Sequence, residues 1–322
     1  MNIENDIKVS VCVVTYNQEN YIAECLESLV TQQTSFKFEI IVGEDCSTDT
    51  TRAIVQSYVE KYPDLIVPLF YESNVGAVEN LRQIYLNAKG KYIAHMDGDD
   101  MALPNKLQKQ FDTLENNLNC QICTHDVLTI NYCGEKSNFQ GWRYAEGIYT
   151  YIDLLKRLPF FAHSSKMFRN NHSALFWDNL FSHENVLDIE VHYQQALLGF
   201  IYHINDNYGC YRSGVGVSMG MGFNPNMLAG IENVYSKALI HKISKDEIDI
   251  IRKAFSYNIL QYAYNYAVYN NDVFMFKKLV YRSLKISFLG FNHIIFLIAC
   301  NFPKISFYFF RYRNNLKYRK VL

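Results

Sequence analysis

Three carboxylates stand within four positions at Asp97-Gly98-Asp99-Asp100. Like charges this close repel one another unless a cation lies between them. An all-oxygen set of this kind suits a hard divalent ion. A calcium-binding EF-hand loop is excluded, because its glycine would fall on Ala102 and its terminal glutamate on Gln108. What fits is Mg²⁺ or Mn²⁺ held by two carboxylates and completed by phosphate oxygens, the chemistry of a nucleoside-diphosphate site.

The elements that must position this cluster follow from the hydrophobic periods. Short apolar, β-branched runs at 8–14, 38–42, 65–71 and 91–96 predict strands. Between them Ile22, Leu26, Leu29 and Val30, then Ala53, Ile54, Tyr58 and Val59, then Leu81, Ile84, Tyr85 and Ala88 recur at helical spacing. Strand and helix alternating at this interval predict βαβ units and a mostly parallel sheet. Ligands of such a sheet bind beyond the carboxyl ends of its strands. Each of the four strands runs there into polar residues: Thr15-Tyr16-Asn17, Glu44-Asp45-Cys46-Ser47-Thr48-Asp49, Glu72-Ser73-Asn74-Val75-Gly76 and the aspartate cluster. Turn and cap duty accounts for Ser47 and Asp49, but not for the three acids.

After residue 100 the rhythm changes. Pro104 is expected to open a helix, 121–131 and 164–169 to be strands, and 186–198 a helix. A Thr150–Asp153 pair is expected to cap a short helix, and 201–205 and 208–212 to form two strands. Gly214, Gly216, Gly220 and Gly222 predict a mobile loop, and helix follows from 226 onward. The expected division is therefore 1–225, with halves 1–103 and 104–225, followed by a helical region over 226–322.

These segments resemble the family 2 glycosyltransferases of GT-A fold, especially members from bacterial polysaccharide assembly. The resemblance rests on VSVCVVTYNQENYIAECLESL, IIVGEDCSTDTT, NVGAVENLRQIYLNAKGKYIAHMDGDD, HSSKMFR and the stretch from Asp188 to Tyr211-Arg212, and covers about residues 8–218. It implies an α/β, Rossmann-like sheet flanked by helices and an inverting, metal-dependent transfer from a nucleotide-sugar, a UDP-sugar, to a saccharide or lipid-linked saccharide. Thr15 and Asp45 match positions that hold the uracil ring, with Asn17 and Glu19 beside them. Asn74 and Gly76 match the loop near the nucleotide. Asp97 resembles the ribose- or metal-side carboxylate of the DxD motif, and Asp99 the direct ligand of Mn²⁺ or Mg²⁺. The base that takes the acceptor proton is placed at Asp188, with Glu184 and Glu190 as rivals and an ordinary first-turn helix acid as the plain alternative. Relatives follow Tyr-Arg with a His one residue later; here Ser213-Gly214 follows. Arg212 is then expected to pair with a phosphate, and the glycine-rich run to close over it.

Other features carry less. Cys120-x-x-Cys123 with His125 and Cys133 lacks a second close pair and reads as packed thiols. His192, one turn after Asp188, is a candidate for the acceptor pocket. A nucleotidyltransferase is disfavoured, since Tyr16-Asn17-Gln18-Glu19 is not a Gly-rich, Arg-containing loop. The alternative retained is a non-catalytic scaffold on a transferase-like fold.

Composition excludes global disorder, at 49% hydrophobic and 20% charged residues. Eight scattered cysteines and the absence of a visible signal sequence predict a cytoplasmic protein. The net charge of −1 is polarised, with ten Lys and Arg and no Asp or Glu from residue 273 to 322. The uncharged stretch 286–300 is too short to span a bilayer, and basic and aromatic residues follow it. This pattern predicts peripheral docking on an anionic membrane. Packing or a homo-oligomer contact is the alternative, and nothing else points to nucleic acid.

Overall fold

The structure, a computed structural model, describes residues 6–136, 143–182, 186–215, 225–241 and 244–319. The chain divides into two compact units, Met1–Thr150 with Phe161–Val215, and Tyr151–Phe160 with Gly216–Leu322. The break at 215–216 precedes the boundary expected near 225, and a ten-residue segment at 151–160 belongs with the helical unit.

The first unit opens with β1 (Ile7–Thr15), α1 (Ile22–Val30), β2 (Lys37–Glu44), α2 (Thr51–Lys61), β3 (Ile66–Phe70), α3 (Ala77–Asn87) and β4 (Tyr92–Asp97). β1 lies between β2 and β4, parallel to both, and β3 pairs parallel with β2. Period two then assigns the faces. Val9, Val11 and Val13, with Ile40, Val42, Ala94 and Met96, pack in the core with Ile22, Leu26 and Leu29 of α1. Burying each of those α1 side chains is worth about 1.5–3 kcal/mol, which holds the helix although its first residue has no side-chain cap. Around the intervening Cys12, the thiol donates to the Ile84 carbonyl of α3 at 3.4 Å. Pro68 is tolerated in β3 because that strand is the sheet's edge.

Beyond β4 come β5 (Met101–Ala102), α4 (Lys106–Asn116), β6 (Cys120–Ile130), β7 (Gly147–Tyr149), β8 (Met167–Arg169), α6 (Ala174–Leu180), α7 (Asp188–Ala196) and β9 (Phe200–Arg212); α5 (Tyr151–Lys156), of the second unit, intervenes after β7. The nine-stranded sheet among the described residues runs β3-β2-β1-β4-β8-β6-β9-β5, with β7 on β9. β8 is antiparallel to both β4 and β6, so the sheet is mixed past β4.

Local chemistry accounts for the departures from expectation. α4 begins at Lys106, two residues after Pro104, because Asn105 takes a left-handed conformation (φ 68°). The strand expected over 164–169 is shortened to Met167–Arg169, since a 3-10 turn occupies His163–Ser165. There Ser165 Oγ donates to the Ala162 carbonyl at 2.7 Å, a local bond that competes with strand pairing. The two strands expected at 201–212 are one, whose pairing with β6 shifts register around Asp126 instead of breaking.

The second unit holds α5, α8 (Pro225–Ile240), α9 (Lys245–Asn265) with a π turn at Tyr266–Asn270, α10 (Val273–Ile286), α11 (Phe291–Asn301) and α12 (Pro303–Arg319). α9 starts on a capping box, Ser244 with Glu247. α10 starts on Asp272, whose carboxylate accepts from Met275 N at 2.9 Å. Tyr235, Phe255, Ile259, Phe276, Val280 and Phe307 are among its buried residues.

Candidate active site

The polar ends of β1–β4 converge as the parallel register requires, since Thr15 lies beside Glu44, and Val14 beside Asp97. Asp45 is buried, and its two oxygens accept from the backbone N–H groups of Val75 (2.6 Å) and Gly76 (3.0 Å). Asn74 Nδ2 donates to the Asp45 carbonyl at 3.0 Å. Gly76 has φ 86°, the left-handed region that favours glycine, as the chain turns there into α3. Thr15 Oγ1 is buried in the same wall with no partner.

Asn17 and Glu19 are committed to the neighbouring loop. Asn17 Oδ1 accepts from Thr48 N at 2.8 Å, and Glu19 Oε2 accepts from Thr50 N at 3.0 Å and from the Thr50 hydroxyl at 2.7 Å. They fasten the loop after β1 to the loop after β2.

The fold gives the acids of the cluster their partners. At Asp97, His95 Nε2 lies 3.1 Å from Oδ1 and Ser164 Oγ 3.2 Å from Oδ2. Burial lowers the His95 pKa, against the opposing pull of Asp97, and so favours the neutral ring. Because Asp97 only accepts, His95 donates from Nε2 and takes a hydrogen bond at Nδ1 from the Tyr85 hydroxyl, 3.0 Å away. The Asp100 carboxyl lies near Ser164 as well, and its Oδ1 accepts from Arg212 N at 2.8 Å. The Asp99 carboxyl is pushed up to about 6, first by burial and then by the charge of Asp97. Gly98 permits this crowding: a Cβ there would come within 2.4 Å of Gln18 Oε1 and 3.0 Å of the Val14 carbonyl.

Arg212 closes the cluster from behind. Its side chain is 2% exposed; Nε donates to the Asp99 carbonyl at 2.9 Å, Nη1 to the Asn131 carbonyl at 3.3 Å, and Nη2 pairs with Glu24. The guanidinium also lies over the Tyr21 ring, 4.7 Å from its centre. The structure thus places Arg212 as a clamp on the loop, with its fork engaged by protein oxygens.

Asp188 is the first residue of α7. Its Oδ1 accepts from Ile189 N at 2.7 Å, and burial raises its pKa above the ordinary carboxylate value. A cavity of ≈ 170 Å³ is lined by Asp97, Asp188, His95 and His163 on its polar side, with Val14, Leu81 and Phe181 among the apolar walls. The two carboxylates from distant parts of the sequence therefore share one pocket. Of the rivals, Glu190 is buried outside this lining, and Glu184 lies outside the described residues, as does the glycine run 216–222. His192 is buried against Phe161, 4.4 Å between ring centres, and touches the pocket only through His163.

Two donor sets come into question for a cation. His95, Asp97 and His163 have ligand atoms within 4.8 Å of one another. Their imidazoles are stacked, with centres 3.6 Å apart and planes 16° from parallel. Parallel rings at that distance cannot both aim an in-plane lone pair at one ion, so as arranged the trio buttresses Asp97. Among the described residues the three acids do not gather ligand oxygens in this way; by chemistry alone, carboxylates such as Asp97 and Asp99 suit a hard divalent ion better than imidazoles do. Cys120 and Cys123 sit in the hydrophobic core, with burial pushing both thiols up.

The sequence profile of glycosyl transferase family 2 matches residues 10–177, more than half of the chain. The chain belongs to this family. Among relatives, an uncharacterized protein of Mycobacterium tuberculosis is 31% identical over 206 residues, which is 63% of this chain and 58% of that protein. EpsE of Bacillus subtilis, which carries a glycosyltransferase name, is 36% identical over 128 residues, 39% of this chain and 45% of that protein. The chain thus spans less than three fifths of the length of these relatives. Among solved structures, Staphylococcus aureus TarS 1-349 in complex with UDP-GlcNAc superposes with a TM-score of 0.67 at 17% identity, covering 96% of this chain and 92% of that one. A mannosyltransferase from Pyrobaculum calidifontis in complex with GDP-Man and Mn²⁺ gives 0.55 at 14%, covering 94% and 83%. The family 2 fold expected from the strand-end motifs, GT-A, is the fold observed.

Within this family 2 frame, the residues that motif reading overlooked are those that hold the acids. His95 was legible, because it stands two positions before Asp97 on one strand and therefore shares its face. Ser164 and Glu24 lie inside the motifs, but nothing local pairs them with Asp97 and Arg212, which are 67 and 188 residues away.

Proposed function

We propose that this chain is an inverting glycosyltransferase that moves a sugar from a nucleoside-diphosphate donor, a UDP-sugar, to a saccharide or lipid-linked saccharide during cell-surface polysaccharide synthesis. The observation that carries the reading is the shared pocket of Asp97 and Asp188 at the carboxyl ends of the parallel strands. TarS bound to UDP-GlcNAc and the Bacillus subtilis relative named for teichuronic acid biosynthesis, TuaG, support the donor and the pathway class.

Thr15, Asp45, Asn74 and Gly76 form the wall that receives the base and ribose. Asn17 and Glu19 hold that wall in shape. Asp97 and Asp99 would hold Mn²⁺ or Mg²⁺, which offsets the charge that develops on the departing diphosphate. Asp188 takes the proton of the attacking hydroxyl. Its raised pKa brings it nearer the operating pH and makes it a stronger base. Arg212 fixes the Asp99–Asp100 backbone so that the acids keep their spacing. We place the protein in the cytoplasm, peripherally on the inner face of the membrane, where lipid-linked acceptors are accessible.

The test is calorimetry of UDP with Mn²⁺ alongside a transfer assay on Asp188→Asn. The variant is expected to bind UDP as the unaltered chain does and to lose transfer by ~10²-fold or more, the contribution of a general base. Loss in Glu190→Gln or Glu184→Gln instead would move the base. No Mn²⁺-dependent UDP binding in the unaltered chain would overturn the donor reading.

A further inference from the structure

The last two helices turn a regular apolar stripe outward. On α11, Phe291, Ile294, Ile295 and Ile298 are exposed, whereas His293, Ala299 and Cys300 are buried. On α12, Ile305, Tyr308, Phe309 and Tyr312 are exposed, whereas Phe307 is buried. Both exposed sets have the i, i+3, i+4, i+7 spacing that ordinarily buries a helix face. Here each helix has a packed face and, besides it, a second apolar face that none of the described residues covers; Phe291 is 74% exposed and Ile305 61%. Single exposed apolar residues need no explanation, but a continuous stripe does.

The charges beside the stripe are of one sign. Lys304 and Arg311 stand four before and three after Tyr308, and Arg313 four after Phe309, so helical spacing puts all three along the stripe. All three are exposed. No helix among the described residues is long and apolar enough to cross a membrane. α11, at 11 residues, extends only ~16 Å against a hydrocarbon core of about 30 Å.

We propose that the outward stripe of α11 and α12 docks in the headgroup zone of an anionic lipid surface. Phe291, Ile294, Ile298, Ile305 and Phe309 enter the acyl boundary, and Lys304, Arg311 and Arg313 meet lipid phosphates. A second copy fits worse, because an isologous contact through this stripe would bring the same three cations against themselves. The inference supplies the surface for the membrane location stated above and is independent of the chemistry at Asp188.

The test is flotation of the full chain with vesicles of phosphatidylcholine alone or mixed with phosphatidylglycerol. Binding is expected only to the anionic vesicles, with release at high salt. Lys304→Glu/Arg311→Glu should weaken binding by at least about fivefold for each charge removed. Ile298→Ser/Phe309→Ser should weaken it by tenfold or more. All four positions are exposed, so circular dichroism and UDP affinity should not change. Equal binding to neutral and anionic vesicles, or to neither, overturns the proposal. So does a concentration-dependent dimer that either variant abolishes in a chain that binds no vesicles. Vesicle binding in a chain that does not bind UDP would refute the donor reading and leave this one standing.

Discussion

Replacing Arg212 by Met keeps length and apolar bulk but removes the donors that hold the Asp99 and Asn131 carbonyls and the ion pair with Glu24. The pair itself contributes little, since Glu24 is 55% exposed and water screens it. The main cost is two carbonyls left under-satisfied, at ~1–2 kcal/mol each, plus the lost contact with the Tyr21 ring, about 0.5–1 kcal/mol. The total is about 2.5–5 kcal/mol, or roughly 5–20 °C in Tm for a unit of this size. Differential scanning calorimetry measures the first part. Calorimetry of UDP with and without Mn²⁺ measures the second, because a loosened Asp99–Asp100 backbone weakens only the metal-dependent share of affinity. Glu24→Gln should lose less than about 1 kcal/mol. If Arg212→Met keeps its Tm within a degree or two yet loses UDP affinity equally with and without Mn²⁺, the guanidinium serves a phosphate and the clamp is refuted.

Asp99→Asn is expected to abolish Mn²⁺-dependent UDP binding; without metal it should be at least as stable as the unaltered chain above pH 6, because a carboxyl raised to about 6 destabilises the fold once ionised. In the unaltered chain, Mn²⁺-dependent UDP affinity should fall as pH drops through that value, and a flat profile would remove Asp99 from the site. Lys166, fully buried, donating to Gln195 Oε1 at 3.1 Å and lying over the Phe168 ring, is depressed by burial to about 7 from 10.5. Its folded form holds fewer protons than the unfolded chain between those values, so its penalty is full below pH 7 and fades as pH rises. Lys166→Met should therefore gain most in Tm at pH 6 and progressively less toward pH 9.5; a constant gain would show that the amine is not desolvated. Gly98→Ala should lose ~1–3 kcal/mol in denaturant unfolding, because its methyl meets the Val14 carbonyl. An unchanged midpoint would show that the loop shifts freely.

The sequence by itself determined whatever depends on local period and local chemistry. Short apolar, β-branched runs such as β1 and the 3.6-residue period of α1 gave the βαβ units, and four polar strand ends pointed to the crevice. The Asp-Gly-Asp-Asp run gave the charge that seeks a cation. Boundaries that depend on side chains competing for the backbone were less legible, as at Asn105 and Ser165. Only the tertiary structure could give the acids their partners, His95 and Ser164 for Asp97 and the Arg212 backbone and Ser164 for Asp100. It also decided that the Arg212 fork faces Glu24 and a carbonyl, since both partners come from segments far away in the chain. The tail shows the same limit from the other side: its basic, aromatic composition was plain in the sequence, but two apolar stripes of identical period are indistinguishable until packing buries one. Period fixes which residues share a face, and only the partner surface decides which face is covered.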